Sequence, residues 1–151
     1  MQSLSYFKVE MPIYQGVMGS RHVLAVDWHI DGILPDGREF HIVVRKGFVF
    51  DGASIPRFLW RVCGHPLEVP RVAAALAHDW LYAAHVTDRA TADAIYREIC
   101  RMVCIIWLRR SLEYRTIRLV GGAAWYSHGQ SDITFARSHG AIELKTERKH
   151  K

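Results

Sequence analysis

Residues 70–85 read PRVAAALAHDWLYAAH, and this stretch decides the fold class. Val72, Leu76, Trp80 and Ala83 recur with a period near 3.6, the mark of a helix with one apolar face. Pro70 suits a first helical turn, where its missing N–H is not needed. The spacing predicts one helix over 70–85. At about 100° per residue, His78, Tyr82 and His85 fall within about 60° of one another, with Asp79 at their edge. The alanines at 73–75, 83 and 84 leave room for another element or a ligand to approach that polar aromatic face.

Downstream, Asp88 is a good N-cap, and Ala92, Ile95, Ile99 and Met102 mark the buried stripe of a second helix. With the first it makes a helical hairpin. A third helical pattern, about 108–125, contains Gly121-Gly122, which predicts a helix end or a close helix contact. Trp107 fits the Cys100/Val103/Cys104 side of the second helix and is expected in the core. Beyond Ser127 the pattern weakens, and the last seven residues are expected to be solvated.

Upstream, the period drops to two. Residues 22–30 place Leu24, Val26, Trp28 and Ile30 on one side, as in a half-buried strand. Pro35-Asp36-Gly37 has turn chemistry and leads into an apolar strand over 39–46; a short strand over 47–50 completes an antiparallel meander ending at Asp51-Gly52. The reading is therefore α+β: a small antiparallel β-meander followed by about three helices, in a single domain over 1–151 with its core at about 20–127 and a flexible tail at 128–151.

Half of the 151 residues are apolar and 23% are charged, a composition ordinary for a globular chain. No apolar run approaches the roughly 20 residues of a membrane span, and no signal peptide is indicated, so host cytoplasm or virion is the expected location. Cys63, Cys100 and Cys104 form no CxxC pair, which excludes a zinc ribbon. The net charge of +5 is regional: residues 1–90 hold nine Lys/Arg and nine Asp/Glu, the remainder eleven and six. Arg97, Arg101, Arg109, Arg110, Arg115 and Arg118 spread over the later helices, where an anionic partner would dock. The alternative is a solvated face laced with ion pairs, and no strong nucleic-acid motif is present.

Two stretches carry the candidate chemistry, Asp51-Gly-Ala-Ser-Ile-Pro56 and His78-Asp79-Trp80-Leu81-Tyr82. In an antiparallel hairpin, His78 and Asp93 lie at about the same level. A carboxylate beside an imidazole sets its tautomer, raises its basicity and lets the second ring nitrogen act on water. His78 is thus the candidate general base, Asp93 its partner and Tyr82 a support. Asp51 and Asp79 are left to hold a divalent cation such as calcium or a substrate group, since hard metals take carboxylate and carbonyl oxygens; two carboxylates binding a metal with His78 fit the spacing equally. Ser54, His85 and Arg89 are candidate substrate contacts. The same residues equally fit a bracing role, with Asp51-Gly52 a turn, Ser54 a cap for a helical turn over 57–60, and the His-Asp pair a satisfied buried network.

The segments at 50–60 and 75–82, Arg89 with Asp93, and Val120-Gly-Gly-Ala-Ala-Trp125 resemble a family of phage and prophage proteins catalogued as domain of unknown function 1353. The resemblance covers about residues 35–127 and implies a phage or prophage gene with no established activity. The His-Asp pair, the Tyr three residues after the Asp and a second Asp on the antiparallel helix also resemble the catalytic helices of secretory phospholipases. That resemblance implies His78 as the base, Asp79 as a calcium ligand, Tyr82 as a support and Asp93 as the partner of His78. The chain departs from it in having no flanking cysteines and no glycine-rich calcium loop.

The sequence thus supports three functions: a phage-encoded ester or phosphoester hydrolase; a non-catalytic virion or assembly component or host-system inhibitor braced by the same residues; and a nucleic-acid-binding module.

Overall fold

The computed structural model describes residues 9–19, 21–52, 67, 70–103 and 105–146. The protein is α+β, with its strands mostly in the first third and helices after them. β1 (Tyr14–Gly16), β2 (His22–Leu24) and β5 (Val49–Phe50) form one antiparallel sheet in the order β1-β2-β5. β3 (Trp28–Ile33), β4 (Glu39–Val44) and β6 (Gly140–Lys145) form a second, in the order β3-β4-β6. Among the described residues the helices are α1 (Val72–Ala84), α2 (Arg89–Met102), α3 (Trp107–Val120), α4 (Gly122–Tyr126) and α5 (Gln130–Ser138).

The strand expected over 22–30 is two strands in different sheets. Between them Ala25 donates to the Ile13 carbonyl at 2.8 Å, and Asp27 Oδ1 accepts the Lys46 N–H at 2.8 Å, so the chain turns from one sheet to the other. Val26, assigned by alternation to the buried side, is 45% exposed at this bend. The single meander is therefore two sheets. The Pro35-Asp36-Gly37 turn is as read: Leu34 pairs with Arg38, Asp36 accepts the Arg38 N–H, and Gly37 takes φ 89°. It sets the register Ile33↔Glu39 through Trp28↔Val44, which buries Trp28, Ile30, Phe40, Ile42 and Val44.

All thirteen residues of α1 are buried, so this helix is the centre of the core. One face packs on α2, and another meets α5 and the sheets. Its alanines let these neighbours approach. Asp88 caps α2 as expected, accepting from Thr91 N at 3.1 Å. The third helical pattern breaks at Gly121, where a Cβ would lie 2.5 Å from the Ile117 carbonyl and 2.8 Å from the Tyr82 hydroxyl. Both expectations for the glycine pair hold there. Trp107, expected in the core, instead begins α3 and is 62% exposed.

The weak pattern after Ser127 conceals two regular elements, α5 and β6. Trp80 Nε1 donates to the Ala136 carbonyl at 2.9 Å, Arg137 Nε donates to the Ala84 carbonyl at 2.8 Å, and β6 pairs along the whole of β4. These bonds hold a segment whose own apolar content is too small to announce it. A Cβ on Gly140 would stand 2.5 Å from the fully buried Trp80 indole. Gly140→Ala is therefore expected to lower stability by about 1–3 kcal/mol in urea titration, as overpacking does. Gly122→Ala, where a Cβ meets nothing within 4 Å, serves as the control and should cost nothing.

Candidate functional site

Helical spacing puts His78 and Tyr82 one turn apart on α1, and the Asp88 cap sets the level of Asp93 on α2. The three side chains meet. His78 Nε2 lies 2.8 Å from Asp93 Oδ1, and the Tyr82 hydroxyl donates to the same oxygen at 2.6 Å. The other oxygen, Oδ2, accepts from Arg118 Nη1 at 2.7 Å, with Arg89 Nη1 3.9 Å away. His78, Tyr82 and Asp93 are all fully buried. The imidazole also lies against the Tyr82 and Tyr96 rings, with centroids 4.1 and 5.1 Å away. With an ionised carboxylate as acceptor, the proton between the two groups sits on Nε2.

Desolvation pushes the Asp93 carboxyl up, but its hydrogen bond to His78 and the charge there, with Tyr82 and Arg118, hold it below the usual carboxylate value. Burial, then the hydrogen bond and charge of Asp93, raise the Tyr82 phenol well above its usual value, so it acts as a neutral donor. Arg89 donates to the carbonyls of Ile117 and Arg118 at 3.2 and 3.1 Å, closing the end of α3 beside the network. This candidate substrate contact is thus an element of the helix junction.

Asp79 points elsewhere. Its Oδ2 accepts the N–H groups of Gly52 at 2.7 Å and Asp51 at 3.3 Å, and Gly52 takes φ 74° to present its amide. The carboxylate thereby ties the end of β5 to α1. Among the described residues no three His, Cys, Asp or Glu side chains come together as a metal ion requires. Asp79 Oδ2 is engaged by two N–H donors. His85 ends α1 at φ 50°, stacks on Trp125 with centroids 4.1 Å apart and donates to its carbonyl at 2.9 Å. Ser54 lies outside the described residues.

The structure thus joins His78, Tyr82 and Asp93 on one side of α1 and Asp51 with Asp79 on another. The second group lines a cleft of about 540 Å³ walled by Phe48, Phe50 and Phe135, with His128 and Asp132 at its edge. Burial holds the His128 imidazole below its usual pKa against the pull of Asp132. No local pattern in the sequence links His128 to Asp51, although both line this cleft. Arg118 reads in the sequence only as part of a basic face. The buried Arg71–Glu113 pair at 3.0 Å went unread, for the partners lie on different elements with no motif between them.

A family model described as protein of unknown function (DUF1353) matches residues 31–117. The chain belongs to the DUF1353 family. The DUF1353 match takes in His78, Tyr82, Arg89 and Asp93 and stops one residue short of Arg118. No curated protein and no solved structure matches the chain. Among the described residues no helix of this DUF1353 member is long and apolar enough to cross a membrane.

Removing the charge of Asp93 leaves the Arg118 guanidinium without its ion-pair partner beside a buried site. Asp93→Asn is expected to cost about 1–3 kcal/mol in chemical denaturation, since buried donors lose their anionic acceptor while Arg118, a third exposed, is hydrated. Because the folded carboxyl titrates below the unfolded one, its contribution is complete above the ordinary aspartate value of about 3.9 and is lost as pH falls through the folded value. Urea midpoints measured across that acid range should therefore drop more steeply for the natural protein than for Asp93→Asn.

Proposed function

We propose that the protein is a hydrolase of an ester or phosphoester bond, encoded by a phage or prophage, with His78 as general base. The observation that supports this reading is the meeting of His78 Nε2 and the Tyr82 hydroxyl on one oxygen of Asp93. It is the layout that the resemblance to secretory phospholipase helices implies for a base, a support and a partner. In this reading His78 takes a proton from water as the water oxygen bonds to the acyl carbon or phosphorus. Asp93 stabilises the imidazolium so formed, and the proton passes to the departing alkoxide as its bond breaks. Tyr82 holds the carboxylate in place.

Since His78 is fully buried, turnover requires an opening motion that brings the ring to water.

The same burial favours a second reading. With Arg118 on the remaining oxygen, Asp93 is a fully engaged buried anion, which is what bracing three helices requires. The protein would then be a non-catalytic virion or assembly component or an inhibitor of a host system.

His78→Asn separates the two. For a hydrolase, the purified protein should cleave members of a panel of p-nitrophenyl esters, bis-p-nitrophenyl phosphate and short-chain phosphatidylcholine. His78→Asn should then remain folded while kcat falls by about 10²–10⁴-fold. Absence of turnover by the natural protein, together with a loss of about 1–3 kcal/mol of stability in His78→Asn, would leave only the bracing role.

A further inference from the structure

The outer face of α3 is apolar and points into water. Leu108, Leu112 and Leu119 are 67, 43 and 84% exposed. At helical spacing they lie with exposed Arg115 within about 60° of one another, forming a ridge along the helix. The opposite face carries the buried residues Glu113 and Ile117, which anchor α3 to the core. The ridge is therefore the outward side of a helix whose inward side is already packed. At its start, exposed Trp107 borders a groove of about 460 Å³ that also meets Arg97, Arg110 and Tyr114, with Asp36 and Glu98 there ion-paired to Arg38 and Arg101.

Charge says what kind of surface covers this ridge. Every acid on α2 and α3 is buried and engaged: Asp93 by Arg118, Glu98 by Arg101, and Glu113 by Arg71. The arginines of the same helices reach solvent, with Arg97 and Arg115 exposed and Arg109 and Arg110 half-buried. Arg97 lies over the Tyr114 ring, 4.9 Å from its centroid, which holds its guanidinium at the groove. A second copy of the chain would bring arginines against arginines. A convex ridge of leucines with a tryptophan at one end and flanking arginines suits a deformable anionic surface.

We propose that α3 docks the protein on an anionic lipid surface. Leu108, Leu112 and Leu119 enter the boundary between headgroups and acyl chains, while Arg115, Arg97 and Arg110 take lipid phosphates. The inference stands without the hydrolase reading, because docking is measured without turnover. A protein that binds vesicles yet cleaves nothing defeats only the catalytic role.

The test is flotation with phosphatidylcholine vesicles, with and without phosphatidylglycerol. The natural protein should float with the phosphatidylglycerol vesicles, bind phosphatidylcholine weakly, and lose binding as salt is raised. Arg115→Gln should weaken binding about fivefold. The double variant Leu108→Gln/Leu119→Gln should weaken it by about tenfold or more, since two apolar side chains no longer leave water. Both variants change exposed positions, and unchanged circular dichroism and thermal midpoints confirm that they fold. Any of three results would overturn the proposal: no binding to either vesicle, binding that both variants leave unchanged, or binding to duplex DNA or polyglutamate in place of vesicles. So would a natural dimer, seen by sedimentation, that the leucine variants convert to monomer.

Discussion

The carboxylate of Asp93 is taken out of water between α1, α2 and α3, and a buried charge persists only where partners replace its hydration. Here the partners come from all the helices it touches: His78 and Tyr82 from α1, and Arg118 from α3. Arg89, one turn before Asp93 on α2, closes the same junction through the last carbonyls of α3. Close approach of Gly121 to the Tyr82 hydroxyl lets α3 end there. Moving any of these helices exposes an unpaired charge, so the anion sets their mutual positions more sharply than apolar packing alone.

Around that anion, α1 spends each of its faces on a different neighbour. The His78 and Tyr82 side meets α2. Asp79 takes the amides of Asp51 and Gly52 and so holds β5. Trp80 bonds to α5 and closes against Gly140 at the start of β6. A helix buried on every side has no polar face in the usual sense. Its polar residues are each consumed by a contact, and its alanines mark where backbones come near. The contrast with α3 is instructive, since that helix buries only Glu113 and Ile117 and leaves leucines in water.

Much of this was legible from local pattern. The periodicity at 70–85, the Asp88 cap, the Pro-Asp-Gly turn and the Gly121-Gly122 break all act through residues within a turn or two of one another, where spacing and backbone preference suffice. The approach of His78 to Asp93 was legible for the same reason, because a short hairpin connection brings the two levels together. Alternation failed at Val26, where a hydrogen bond to the Ile13 carbonyl and one from the Lys46 N–H, both distant in sequence, bend the chain. It also failed to find β6, whose strand character comes from the unpaired edge of β4 rather than from its own residues.

The candidate site divides along the same line. Sequence by itself determined which residues share a helix face, and hence that an imidazole, a phenol and a carboxylate meet. It also determined that the excess positive charge belongs to the later helices. Only the tertiary structure decided that this meeting place is sealed from water, that Arg118 completes it, and that Asp79 serves backbone amides on the other side of the helix. Only it decided that the leucines of α3 face outward. The physical reason is range: periodicity and capping act between neighbours in the chain, whereas burial and the pairing of charges depend on which distant segments come to lie alongside.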